Sequence, residues 1–291
     1  MKQTSIAFKL VKDEDFITSL FILIDDLLKQ FPLKISNTRS GRKPILQESE
    51  LVFLAVIFSI LGSDAFKDFY TLVKAFDCSY FKKINEHSRL LRNIKDIAPK
   101  ASLIIHILLE INKKMDSKNN KKFIDSTPIP VCKNKRIFNY KVTDYASRGM
   151  SSMGWFYGFK LHIVINDKGK ILSLKVTPGN VSDKNHKVVL NLLKGIRGTV
   201  VADAGYQSNP LKETLKQRDI NFFTAVTKPM KKLMTKTQHN LLKSRQLVET
   251  IIGKIKYRKN PVTSLARSLK GYQYRIIFSL LAVVMLELPG F

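Results

Sequence analysis

Over roughly the first 115 residues, apolar side chains recur at three- and four-residue intervals, through 16–28, 50–61, 65–76 and 101–115, and strand-type alternation is absent. That spacing gathers apolar side chains on one face of a helix, so the N-terminal part is predicted to be all-helical. Between the first two helices, residues 37–44 read Asn-Thr-Arg-Ser-Gly-Arg-Lys-Pro, a basic loop rich in helix breakers. A short helical stretch at 81–92 spaces Lys82, Lys83, Arg89 and Arg92 along its length. A small helical unit carrying such a helix suits contact with DNA phosphates or a groove, while a solvated charged helix has the same appearance.

The period changes after the polar run Lys-Asn-Asn-Lys-Lys at 118–122. A domain boundary is placed there, giving a helical domain over 1–117, suited by its basic helix to DNA, and a second domain with C-terminal helices over 118–291. Phe123-Ile-Asp125 is predicted to be a short strand, ended by Thr-Pro-Ile-Pro because two prolines interrupt both ladder and helix. Residues 155–166 alternate, with Tyr157, Phe159, Leu161, Ile163 and Ile165 on one face and Lys160, His162 and Val164 on the other. Asp167-Lys-Gly169 turns the chain into a returning strand over 170–176. Ser182 or Asp183 is positioned to cap a helix running to about Lys194. Thr199-Val-Val-Ala-Asp203 is an apolar strand with a carboxylate at its C-terminal end, and a helix over 210–218, a strand over 221–226 and a last long helix over about 239–257 follow. The order β-β-β-α-β-α-β, a mixed sheet covered by helices, is that of a ribonuclease H-like domain. The fold class predicted is therefore α+β, or mixed α/β, preceded by an all-α domain.

Charge narrows the partners. Fifty Lys and Arg against twenty-three Asp and Glu give the 291-residue chain a net charge of +27, which attracts polyanions, DNA first among them. A general bias towards Lys would also raise the charge. Cys78 and Cys132 lie in no zinc-ligand or disulfide spacing. The longest apolar runs, 51–61 and 276–286, are too short to cross a bilayer of about 30 Å, and the first ten residues lack an apolar signal core. A cytoplasmic protein with no membrane partner is expected.

Three carboxylates are candidates for phosphodiester chemistry. Two-metal cleavage needs acids that flank two hard cations about 4 Å apart. Ligands in such sheets bind beyond the carboxyl ends of strands, where Asp203 falls, and Asp125 becomes its neighbour if the first and fourth strands pair. In the last helix, at about 100° per residue, Arg245, Glu249 and Lys256 lie within about 40° of each other beside an apolar stripe of Leu241, Val248, Ile252 and Ile255. An Arg245–Glu249 salt bridge is the competing reading of that pair.

These segments, Phe123-Ile-Asp-Ser-Thr-Pro-Ile, Tyr157-Gly-Phe-Lys-Leu-His162, Pro178-Gly-Asn-Val-Ser-Asp183, Val201-Ala-Asp-Ala-Gly-Tyr206, the R-x(3)-E-x(6)-K spacing of Arg245, Glu249 and Lys256, and Ala266-Arg-Ser-Leu-Lys-Gly271, together resemble bacterial insertion-sequence transposases of the DDE type. The resemblance implies that Asp125, Asp203 and Glu249 hold two Mg²⁺ ions, with Mn²⁺ able to substitute. It implies that Arg245 and Lys256 contact DNA, and it adds Lys160 and His162 as residues lining the site, with a structural role for His162 the alternative. It implies cleavage at terminal inverted repeats, joining of the freed 3′-OH to target DNA, and a homodimer that pairs two ends in the bacterial nucleoid. One departure stands out: relatives with the full Y-R-E-K signature carry Tyr three residues before the Arg, where this chain has Leu242. A nuclease of the same fold that performs no strand transfer, and a non-catalytic DNA-binding descendant of a transposase, are the alternative readings.

Overall fold

The computed structural model describes residues 13–31, 44–63, 65–75, 84–139, 145–225, 235–259 and 268–288. The basic loop at 37–44 except its last residue, together with Cys78, Lys82 and Lys83, lies outside them. Two compact units are present, one formed by residues 1–107 with 255–291 and the other by residues 108–254.

The described part of the first unit is helical. Helix α1 (Glu14–Gln30) starts where the Asp13 carboxylate accepts from the Phe16 amide, with Glu14 and Asp15 in the first turn, where acids suit the helix dipole. Helix α2 (Glu48–Leu61) is buried nearly all round and stops at Gly62, whose φ of 66° is the left-handed conformation that glycine adopts without strain. Helix α3 (Phe66–Ala75) brings Phe66 and Phe69 against Phe58 of α2. The stretches at 81–92 and 101–115 were predicted as separate helices, but one helix, α4 (His87–Met115), runs through Pro99. Pro99 removes one ladder hydrogen bond, and buried Ile94, Ile97, Ala98, Ala101, Ile104 and Ile105 on either side keep the helix in place. The C-terminal helix α9 (Leu269–Leu286) packs on α2. By length and hydropathy α9 could cross a membrane; 67% of it is buried inside the structure, as in the core helix of a folded domain.

The second unit is built on a six-stranded mixed sheet. Strand β1 (Lys122–Cys132) pairs antiparallel with β3 (Gly154–Asn166) along its length and parallel with β5 (Gly198–Ala202) only at Lys122 and Phe123. Strand β6 (Ile220–Thr224) continues parallel beyond β5. The far edge of β3 is shared end to end by β2 (Ser147–Ser151) and β4 (Ile171–Pro178). Leaving β2 aside, the order β4-β3-β1-β5-β6, with β3 antiparallel to the rest, is the ribonuclease H-like arrangement the sequence predicted. Helices α5 (His186–Leu192) and α6 (Asn209–Lys216) supply Val188, Val189, Leu192, Leu211 and Leu215 to a core they share with Ile124, Val164, Leu172 and Val200 of the sheet.

Three expectations are corrected. Strand β1 does not stop before Thr-Pro-Ile-Pro but runs on to Cys132. Pro128 and Pro130 are two apart and turn their missing N–H groups to the same edge; β5 has already left that edge after Phe123, so no ladder bond is lost. Strand β2 was not predicted; its five residues Ser-Arg-Gly-Met-Ser carry too few apolar side chains to signal a strand. The last long helix is two, α7 (Lys236–Lys243) and α8 (Gln246–Lys259), because the Ser244 hydroxyl donates back to the Asn240 and Leu241 carbonyls and the Arg245 amide bonds only three residues back, to Leu242.

Candidate active site

Backbone accounting explains why the acids stand where they do. The buried Lys122 ammonium is fixed by the Asp116 carboxylate at 3.1 Å and the Ser117 carbonyl at 2.7 Å, which pins the start of β1. Asp125 follows three residues later, just past the last residue paired with β5. Its side chain points to the sheet face of its partner Ile163, since directly opposed residues of an antiparallel pair share a face. Asp203 is the first residue beyond β5 and caps the 3-10 turn Ala204–Tyr206 without a side-chain hydrogen bond, so its carboxylate is free of local duty. Glu249 lies in the first turn of α8, whose buried stripe of Val248, Ile251, Ile252 and Ile255 fixes the helix rotation.

These three acids meet at one side chain. The Nη1 of Arg245 lies 3.6 Å from Oδ2 of Asp125 and 3.7 Å from Oδ1 of Asp203, and its Nη2 lies 3.2 Å from Oε1 of Glu249. Arg245 and Asp125 are largely covered, at 18% and 19% exposure, while Asp203 and Glu249 are open to solvent at 53% and 59%. Burial pushes the Asp125 carboxyl up to about 6; the Ser126 amide and Arg245 act against the rise, and Asp203 and Asp183 add to it. The Arg245–Glu249 salt bridge is thus present, with Asp125 and Asp203 beside the same guanidinium.

Lys160 and His162 sit on the other face of the sheet, the face of Ser126. His162 is fully buried, with Nε2 2.9 Å from the Thr177 hydroxyl, and burial lowers its pKa to about 4. The buried Lys160 ammonium donates to the Val181 carbonyl at 3.0 Å and to Asp183 at 3.2 Å. Asp183 also accepts from the Ser126 hydroxyl at 2.6 Å, and the Ser126 amide donates to Asp125 at 2.8 Å. Tyr206 is buried beside these groups, and burial, with Asp183 and Asp125, holds its hydroxyl well above the usual range. Asp183 does not cap the helix; Asn185 does, accepting from the Val188 amide, because Asp183 is occupied by partners 57 and 23 positions away. No local signal could have revealed that contact. Lys256 lies two turns beyond Glu249 on α8, and Arg89 and Arg92 are exposed on α4.

The donor set suits a hard divalent ion, since the converging side chains offer carboxylate oxygen alone and two of them lie within 4 Å of one buried nitrogen. Among the described residues, no three Asp, Glu, His or Cys side chains already stand at holding distance of an ion. Each of the three acids faces Arg245 instead.

A sheet in ribonuclease H-like order, with acids on β1, just beyond β5 and on a later helix, defines a domain of the ribonuclease H-like class. Residues 115–264, just over half of the chain, match the family described as transposase DDE domain, and the chain belongs to that family. Among solved structures, it is similar to a piggyBac transposase synaptic complex with hairpin DNA at 11% identity and a TM-score of 0.49, over 98% of this chain and 75% of that one. Likeness to the Mos1 mariner paired end complex with Mn is 11% identical at a TM-score of 0.26, over 92% and 87%. The Mos1 catalytic domain is 12% identical at 0.25, over 70% and 96%.

Proposed function

We propose that this transposase cuts DNA at the ends of a bacterial insertion sequence and joins the freed 3′-OH to target DNA, with Asp125, Asp203 and Glu249 as the metal-holding residues. The observation that carries this reading is the convergence of three acids from β1, the end of β5 and α8 on the single guanidinium of Arg245. Bound there, two Mg²⁺ ions, or Mn²⁺ in their place, would activate the attacking oxygen and neutralise charge on the leaving oxygen. The chain's own groups do the rest. Asp125 is held by the Ser126 amide, and Ser126 in turn by Asp183, so its carboxylate is oriented before any ligand arrives. The buried Lys160 ammonium balances Asp183 behind it. Arg245 and Lys256 supply cations for the scissile strand, and Arg89 and Arg92 on α4 supply them for a helical DNA-binding domain over residues 1–117, ahead of a catalytic domain over 118–291. The placement of Lys160 and His162 favours a supporting role for both over direct DNA contact. Two protomers are needed to pair two ends, which makes a homodimer on DNA in the nucleoid the working form.

The test is joining. A pre-cut duplex ending in the element's own 3′-OH, incubated with supercoiled plasmid and Mg²⁺, should yield covalently joined product with the wild-type chain and none with Asp203→Ala. Plasmid nicking without joined product would instead favour a nuclease of this fold. Duplex binding with neither nicking nor joining would favour a non-catalytic DNA-binding protein.

A further inference from the structure

We propose that Arg245 is the resident counter-cation of the three-carboxylate site, competing with divalent metal for the same oxygens and released towards DNA when metal takes its place. The inference rests on the reading of those acids as the metal-holding set, and it assigns Arg245 a role before DNA is bound.

The contacts argue for a placeholder rather than a structural salt bridge. An arginine that serves as a fixed partner pairs with one carboxylate through two parallel bonds of about 2.7–2.9 Å. Arg245 does not. It spreads over three acids, the shortest approach is 3.2 Å to Glu249, and Nη1 lies 3.6 and 3.7 Å from Asp125 and Asp203, beyond hydrogen-bond length. That Nη1 is buried and has no hydrogen-bond acceptor among the described residues, an arrangement that costs free energy if it is permanent. Coulomb attraction to a cluster of acids explains it; directed bonding does not.

Charge then opposes joint occupancy. An ion ligated by both Asp125 and Asp203 would lie about 2.1 Å from an oxygen of each, on the same oxygens that Nη1 now faces at 3.6 and 3.7 Å. A divalent ion and a guanidinium on the same carboxylates are like charges a few ångströms apart, and they repel most where Asp125 and Arg245 are covered. Three carboxylates against one guanidinium leave the cluster short of positive charge, so the site still attracts a divalent ion while Arg245 is in it. The backbone is suited to let the side chain go: Arg245 lies in the break between α7 and α8, and its one side-chain hydrogen bond among the described residues is to exposed Glu249. A displaced guanidinium is a phosphate ligand without a partner, at the edge of the site where a scissile strand would lie.

The experiment is Mn²⁺ binding to the full-length, metal-stripped, DNA-free protein, read by loss of the free-ion electron paramagnetic resonance signal. Arg245→Ala should bind Mn²⁺ at least tenfold more tightly than wild type, and Asp203→Ala should bind it at least tenfold more weakly. Arg245→Gln, which keeps the polar reach without the charge, should behave like Arg245→Ala and serves if the alanine variant does not fold. Melting temperatures give a second readout. In EDTA the Arg245 variants should melt below wild type, and saturating Mn²⁺ should raise them by more than it raises wild type. Equal or weaker Mn²⁺ binding by both Arg245 variants, with binding lost in Asp203→Ala, would overturn the counter-cation role alone. Unchanged binding in Asp203→Ala would overturn the metal-site reading itself.

Discussion

At the scale of single residues, His162 and Asp183 carry consequences that can be measured without DNA. His162 is buried neutral, with its pKa lowered from 6.5 to about 4. Its contribution to stability is therefore complete above pH 6.5 and is lost as pH falls towards 4, because the unfolded chain takes up the proton first. By pH 5 the loss should be about 2 kcal/mol. Urea unfolding at pH 7 and pH 5 should show that difference in wild type and a flatter dependence in His162→Gln; parallel dependences would contradict the assignment. Removing Asp183 leaves the buried Lys160 ammonium without its carboxylate, so Asp183→Ala should destabilise the domain by about 3 kcal/mol. Asp183→Asn, which can still accept from Ser126, should cost less. Asp203 and the Arg245–Glu249 pair were legible from sequence because each obeys a local rule, a strand end and an i,i+4 spacing. Asp183 was not, because its partners Ser126 and Lys160 are brought to it by sheet register alone.

At the scale of elements, the crossing of β2, β3 and β4 shows why the Tyr-Gly-Phe-Lys-Leu-His and Pro-Gly-Asn motifs contain glycine. The Gly158 carbonyl accepts from the Gly179 amide at 2.9 Å, and a Cβ on Gly158 would stand 2.2 Å from the backbone oxygen of Ile129. Backbone cannot yield as a side-chain tip can, so Gly158→Ala should lower stability by more than about 2 kcal/mol. Gly253, inside α8 with open space where a Cβ would be, gives the opposite sign. Gly253→Ala should raise stability by about 0.5–1 kcal/mol through helix propensity. Thermal melts of the two variants check both, and a stabilised Gly158→Ala would contradict the crossing described. Helix and strand periods made most of these elements readable in advance. The exceptions, β1 through its prolines and α4 through Pro99, depend on which edge or face lacks a bonding neighbour, and that is set by tertiary structure.

At the scale of the whole molecule, composition and the carboxylate cluster point the same way. A net charge of +27 on 291 residues supports sequence-independent attraction to DNA that weakens with salt. The ribonuclease H-like core supplies what charge alone cannot, a fixed place where acids from distant segments meet. Its strand order was legible because the hairpin and the two crossover helices are punctuated by turn residues, and the extra strand β2 was not because its residues lack a strand's apolar alternation. The central claim is that Asp125, Asp203 and Glu249 act as one metal-dependent site. The most direct measurement compares Mg²⁺-dependent cleavage of a DNA carrying the element's own end by wild type and by Asp125→Asn, Asp203→Asn and Glu249→Gln. The account predicts that each single change lowers cleavage at least a thousandfold while duplex binding at fixed salt is retained. Cleavage at near wild-type rate by any one of the three would contradict it.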